Sequence, residues 1–366
     1  MNKIIKIIFI VFILLQIFSA NSKAQEQSEA KTYQATITEI LEKNNSTNLN
    51  AGEMFQKLEL VVTSKGELKS EKISLENIDP RIEYKVGDKL MIYRANAETF
   101  LIADQVRTNA LLVLFLVFVF FVLLISKWRG LGSLLGMSFS FLVIIYFILP
   151  KIAAGGDPIL IAILGSLLII PATFYPSHGM NRKTTIAVFS TLIALVVTGF
   201  LASFFINFAK LSGLSSEEAG FLQTINPGLF NMKGLLLAGI IIGVLGVLDD
   251  VTVSQASIVE QLKIADPNLK TAELYKKAMQ VGHDHISSMV NTLVLVYAGA
   301  SLPLLLLFND AAKPFSEIVN YEIIADEIVR TLVGSIGLIL AVPISTFLSA
   351  ILIGKSDNKM SHDHLV

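Results

Sequence analysis

From Thr108 onward the sequence falls into long apolar blocks, about 109–126, 131–149, 159–176, 184–208, 234–257, 287–308 and 331–353. Each is close to the ~20 residues that a helix needs to cross a hydrocarbon core about 30 Å thick. A helix satisfies its own backbone hydrogen bonds, which a lipid-exposed segment must do, so every block predicts a spanning helix. Composition agrees. With 53% hydrophobic residues, 16% charged residues and a mean hydropathy of +0.64, the chain is too apolar for an ordinary soluble protein of 366 residues.

Seven crossings put the two ends of this region on opposite sides of the membrane. The linkers after the first, third, fifth and seventh blocks hold Lys127, Arg129, Arg182, Lys183, Lys263, Lys270, Lys276, Lys277, Lys355 and Lys359; the alternate linkers hold Lys151, Lys210, Lys233, Lys313 and Arg330. The positive-inside rule therefore places the C-terminus in the cytoplasm and the segment before Thr108 outside. The N-terminus gives the same orientation independently. Lys3 and Lys6 precede an apolar run from Ile7 to Phe18, and Ser22-Lys23-Ala24 offers small residues at a peptidase site, the pattern of a secretory signal over 1–24. An uncleaved anchor would export the following segment equally well.

Residues 25–107 are the only soluble-looking stretch. Alternation at Tyr33, Ala35 and Ile37 and at Leu58, Leu60 and Val62, with shorter runs at Lys72–Leu75, Lys89–Tyr93 and Thr99–Val106, predicts five strands. Gly87-Asp88 is a turn feeding the fourth. A small β-barrel, OB-like or SH3-like, fits this pattern. The expected fold class is thus an α-helical polytopic membrane protein with a small extracytoplasmic N-terminal β-barrel-like domain, and 355–366 as a cytoplasmic tail.

Several functions are disfavoured. A net charge of -1 gives no field for nucleic acid, and the absence of cysteine removes disulfides and thiolate metal sites. Gly354-Lys355-Ser356 lacks the upstream glycine of a P-loop, and there is no His-Glu-x-x-His pair and no serine nucleophile elbow. Asp284 is the only candidate partner for an aspartyl dyad with Asp249 or Asp250. No enzymatic activity and no cofactor are expected.

The fifth block is the informative one. Its purely apolar part, Gly234 to Leu248, covers only about 22 Å, so the span must continue through Asp249-Asp250. Asp250, Ser254, Ser257 and Gln261 share one helical face. Carboxylates at that depth cost a few kcal/mol and mark an ion or solute pathway, unless they sit among headgroups and cap neighbouring helices. The sixth block opens with Gly282-His283-Asp284-His285 and continues through Ser288, Asn291 and Thr292, a second polar stripe able to face the first. His283 and His285, two residues apart, can chelate a metal only if the helix breaks at Gly282; solvated interfacial histidines are the alternative. Gly132 with Gly136, and Gly239 with Gly243, are spaced for close packing of helices, within the chain in preference to between two copies of it.

The segments Gly243 to Ser257, containing Leu248-Asp249-Asp250-Val251-Thr252-Val253-Ser254-Gln255, and Gly282-His283-Asp284 through Asn291-Thr292-Leu293 to Tyr297-Ala298-Gly299, resemble the two hallmarks of the YibE/F family of bacterial membrane proteins. The resemblance covers about 109–353. The family pattern has one aspartate where Asp250 stands, usually after a methionine, and commonly Arg or Lys where His283 stands, so Asp249 and His283 are departures. It implies a multi-pass protein of the bacterial cytoplasmic membrane, often suspected of transport, and supplies neither substrate nor catalytic residue. The resulting expectation is a secondary transporter moving a small solute or ion past Asp250, Asp249, Ser254, Ser257, Ser288, Asn291 and Thr292. The alternative is a non-transporting envelope scaffold whose exported β-domain binds a protein partner.

The charge pattern makes a direct prediction about topology. A reporter active only outside the cytoplasm should work when fused near residue 155 or 220 and fail near 180 or 270; the reverse result at either pair would remove the seven-span arrangement.

Overall fold

The computed structural model describes residues 32–44, 55–63, 69–79, 82–94, 99–309 and 314–354. The predicted signal segment and the C-terminal tail, with His362 and His364, lie outside the described residues. The chain divides into two compact units, one spanning 23–124 and the other containing everything from Ile125 onward.

In the N-terminal unit five strands, β1 (Thr32–Lys43), β2 (Gln56–Thr63), β3 (Lys69–Asn77), β4 (Lys89–Arg94) and β5 (Phe100–Gln105), form an antiparallel sheet in the order β3-β2-β1-β4-β5. Irregular register at Ile37/Glu39 and Ile40/Glu42 bends β1, and the sheet curls until its edge strands β3 and β5 approach each other. The alternating residues face inward as the two-residue period requires: Ala35, Ile37, Leu58, Leu60, Val62, Leu90 and Ile92 are all buried in one core with Tyr84 and Phe100. Gly87, at φ 94°, makes the turn before β4. Gln56, fully buried, donates to the Tyr84 carbonyl (3.0 Å) and accepts from the Tyr84 N–H (2.9 Å), so the loop before β4 is pinned to β2 without an orphaned amide.

Nine helices follow among the described residues: α1 (Thr108–Ala153), α2 (Pro158–His178), α3 (Arg182–Phe208), α4 (Glu217–Ile225), α5 (Met232–Ala265), α6 (Thr271–Ala300), α7 (Leu302–Asn309), α8 (Phe315–Ile318) and α9 (Glu322–Gly354). Five of them, α1, α2, α3, α5 and α9, are long and apolar enough to cross a membrane. The first two predicted blocks fall within the 46 residues of α1, which is broken at Lys127 (φ 50°) and contains a π-helical turn at Ile144–Ile148. The sixth block is divided between α6 and α7 at Ser301, where Pro303 can enter only the first turn of a new helix. Here α6 differs from expectation in a second way, since it starts at Thr271 and passes through Gly282 without a break.

The centre of the bundle is the trio α3, α5 and α9, with α2 against α5 and α3, and α6 against α9 and α5. Side-chain caps start these helices: Asp157 holds the Ile159 N–H (2.8 Å), Asn181 the Thr184 N–H (2.8 Å) and Asn231 the Gly234 N–H (3.0 Å). Lys183 and Glu260 tie α3 to α5 at 2.9 Å. Small residues set the closest approaches. A Cβ at Gly132 would stand 2.1 Å from the Pro176 carbonyl oxygen, and one at Gly136 would stand 3.0 Å from the Thr173 Cα, so this pair packs α1 against α2. Gly239 and Gly243 do not behave this way: nothing described lies within 4 Å of a Cβ at Gly239, and only the Tyr297 hydroxyl, at 4.0 Å, meets one at Gly243. Among the described residues, that face of α5 is uncovered.

The two glycine pairs should therefore respond oppositely to added bulk. Gly132→Val should lower the thermal stability of the purified protein by several degrees, because backbone must move to admit it, whereas Gly239→Ala should leave it within about one degree. Equal tolerance at both sites would contradict the described packing.

Candidate functional site

Asp249 and Asp250 stand halfway along the 34 residues of α5 and are directed differently, since consecutive helical residues are about 100° apart. Asp249 turns toward α2. It is partly buried, lies within hydrogen-bonding reach of the Thr173 side chain, and leaves its Oδ1 with no partner among the described residues. Asp250 is exposed and continues the uncovered face of α5: Gly239, Gly243, Gly246 and Asp250 recur at four, three and four residues, one stripe along the helix, with Ser254 and Ser257 half-buried beyond. A Cβ at Gly246 would meet nothing described within 4 Å. This exposed stripe, the α5 groove, carries a carboxylate at one end and is bordered on the α6 side by Tyr297, whose hydroxyl is 4.0 Å from the Cβ positions of both Gly243 and Gly334.

Only the first of the two predicted polar stripes is at this groove. On α6 the buried face is set by Leu274, Ala278, Gly282 and Leu293, joined by Ile286, Met289 and Tyr297, which pack on the bundle core. Asn291 falls on the opposite side of the helix, and Ser288 and Thr292 are also exposed. The Thr292 hydroxyl is spent on the Ser288 carbonyl (2.9 Å) and the Ser287 hydroxyl on that of His283 (3.0 Å). These residues lie on exposed sides of α6, because the apolar residues of an amphipathic helix, not its polar ones, choose the packed side. His283 is exposed and His285 half-buried on an unbroken helix, and no three His, Asp or Glu side chains gather as metal ligands among the described residues.

A buried polar seam behind the groove was not read from the sequence. The Thr191 hydroxyl on α3 lies 2.7 Å from that of Thr252 on α5, and the Ser345 hydroxyl on α9 donates to the Thr252 carbonyl at 2.8 Å. One turn further, Thr346 meets the Gln255 Oε1 at 2.9 Å. Gln255 and Ser349 are fully buried, with the Gln255 Nε2 and Ser349 Oγ unpartnered among the described residues. Gln255 is pressed against Gly282, where a Cβ would come within 3.4 Å of its amide. The signal was present: Thr252 and Gln255 share a helical face, and Ser345, Thr346 and Ser349 recur one turn apart inside an apolar block. By contrast, a cavity of about 520 Å³ between α2, α3 and α5 is lined by Ile163, Leu167, Val196, Phe200 and Ile241, with Ser203 its one polar side chain.

The Thr191–Thr252 contact is testable by a double-mutant cycle on unfolding in detergent or bicelles. Thr191→Val with Thr252→Val should show a coupling of about 0.6 kcal/mol, at most ~1.7, the range for interhelical hydrogen bonds in membranes. Strict additivity would mean that the contact contributes nothing.

No curated protein and no solved structure matches the chain. A family model described as YibE/F-like protein matches residues 114–355, which include every bundle helix from α2 to α9, the aspartate pair and the polar seam. The chain belongs to the YibE/F-like family.

Proposed function

We propose that this protein is a permease-like secondary transporter of the bacterial cytoplasmic membrane, in which a small solute or ion passes along the α5 groove by way of Asp250 and Asp249. In this reading the break at Lys127 divides α1 into two crossings and α6 with α7 supplies another, giving seven, with the β-sheet outside and the C-terminus inside. The curled sheet, in the order β3-β2-β1-β4-β5, would serve as an extracytoplasmic docking module of small-barrel type.

The observation that carries the proposal is the open stripe itself. An exposed carboxylate on the long apolar helix α5 needs water or a partner, because lipid solvates an ionised side chain poorly, and the three exposed glycines along the same stripe leave room for either. Asp249, with an empty acceptor on the α2 side of the same turn, gives a second station for a proton or cation. Transport needs no nucleotide chemistry from this chain. The same glycine stripe favours the scaffold reading in one respect, since small-residue faces also accept a partner's helix.

Water decides between the two. Because the chain has no cysteine, Gly246→Cys and Gly243→Cys provide single thiols without background. A water-filled pathway predicts their modification by a membrane-impermeant thiol reagent in intact membranes, at rates at least ~10-fold above that of Leu248→Cys in the buried core. Asp250→Asn, which keeps size and hydrogen bonding, should accumulate normally but abolish the phenotype that depends on the protein. Unreactive thiols together with wild-type behaviour of Asp250→Asn would exclude the transport pathway and leave the scaffold.

A further inference from the structure

The first turns of α9 carry a second polar cluster that the α5 groove does not use. Glu322 accepts the backbone N–H groups of Ser212 and Gly213 (the latter at 3.0 Å) and the Ser212 hydroxyl (2.7 Å), so its Oε1 is committed to the loop between α3 and α4. One turn later Asp326 is only 4% exposed. The Ser215 hydroxyl donates to its Oδ2, while its Oδ1 has no partner among the described residues. One further turn along, Arg330 pairs with Glu327 at 3.1 Å through Nη1, leaving its buried Nε without a partner among the described residues. Gln223, on the helix that follows the same loop, has a buried Oε1 in the same condition.

The charges acting on this region are few. Glu322, Glu327 and Arg330 bear on Asp326 from α9 itself, Lys233 bears on Glu322 from the start of α5, and Tyr297 of α6 faces Arg330 and Glu327. Among these described groups, the carboxylates of Glu322, Asp326 and Glu327 outnumber the cations Lys233 and Arg330 by one. A buried carboxylate oxygen with nothing bound to it costs several kcal/mol unless a proton, a cation or a water completes it. Arg330 is already engaged by Glu327. A divalent ion is disfavoured, because its charge calls for several carboxylates and no three His, Asp or Glu side chains gather as metal ligands among the described residues.

We propose that Asp326 and Ser215 form a binding site for one monovalent cation, a sodium ion or a proton, at the end of the bundle where the 209–216 loop meets α9. Bound there, the cation neutralises Asp326 and fixes the loop through Ser215, with Glu322 as the permanent anchor beside it. That the site supplies the coupling ion rests on the transport reading above; that it binds a cation does not.

The test uses the purified full-length protein and follows its melting temperature in sodium chloride against choline chloride at equal ionic strength, at two pH values. Sodium occupancy predicts a saturable rise of roughly 2–4 °C with sodium alone, absent in Asp326→Asn. Proton occupancy predicts no sodium effect, and a difference between wild type and Asp326→Asn that changes with pH. Ser215→Ala keeps the carboxylate and should shift the sodium midpoint, or the pH midpoint, by several-fold in concentration; it decides the matter if Asp326→Asn fails to accumulate. Identical sodium and pH responses in wild type and variants would overturn the site. Cation binding without reactive thiols on α5 would keep this site and remove the transport pathway, whereas reactive thiols with a cation-insensitive Asp326 would do the reverse.

Discussion

Thr252 is the point on which the arrangement of the bundle turns, because its hydroxyl engages α3 while its carbonyl engages α9. In a membrane the attraction between helices cannot come from hiding apolar surface from water, since lipid is as apolar as leucine. What remains is close packing and the satisfaction of polar groups inside. The α3–α5–α9 trio has both: Gly337 brings α9 so near α3 that a Cβ there would strike the Thr198 hydroxyl at 2.2 Å, and the Thr191–Thr252–Ser345 and Gln255–Thr346 contacts fix the register. With that side of α5 committed to packing, the opposite side, from Gly239 to Asp250, is left open. The groove is a consequence of where the seam lies.

The same constraint explains why the six buried polar atoms without described partners do not scatter. Asp249 Oδ1, Gln255 Nε2 and Ser349 Oγ belong to the aspartate pair and the seam; Gln223 Oε1, Asp326 Oδ1 and Arg330 Nε belong to α4 and the first turns of α9. Unsatisfied polar groups are expensive, so structures keep them where something else completes them. They fall in two places, the middle of α5 with the facing turn of α9, and α4 with the start of α9.

Much of the fold was legible because both solvents leave a periodic mark. In the sheet, Ala35, Ile37, Leu58, Leu60 and Val62 alternate because one face is dry, and each is buried. In the bundle, the apolar blocks fall on long helices, five of which are long and apolar enough to cross a membrane. Helix ends were legible only where apolarity and helicity end together. α5 continues to Ala265, α6 begins at Thr271 and α9 begins at Glu322, each several residues beyond the apolar block, since a backbone ladder continues into water without any hydropathic signal. Glu322 and Asp326 fell outside the seventh block for this reason, although their four-residue spacing was in view.

The site was less legible than the fold, and the aspartate pair shows why. Asp249 and Asp250 are chemically identical neighbours, and nothing local says which of them turns inward; the answer comes from whichever neighbouring apolar residues pack. Leu248 and Val251 are fully buried, which places Asp249 at the edge toward α2 and leaves Asp250 on the open stripe. On α6 the same rule runs against the polar stripe: Leu293 and its apolar companions take the inward face, so Asn291 is carried outward. Polar residues thus face the groove only where the apolar residues of their own helix permit it. On α5 they do, because the stripe opposite the buried face consists of glycines that leave the space above them empty, and Asp250 is the one charged group on it.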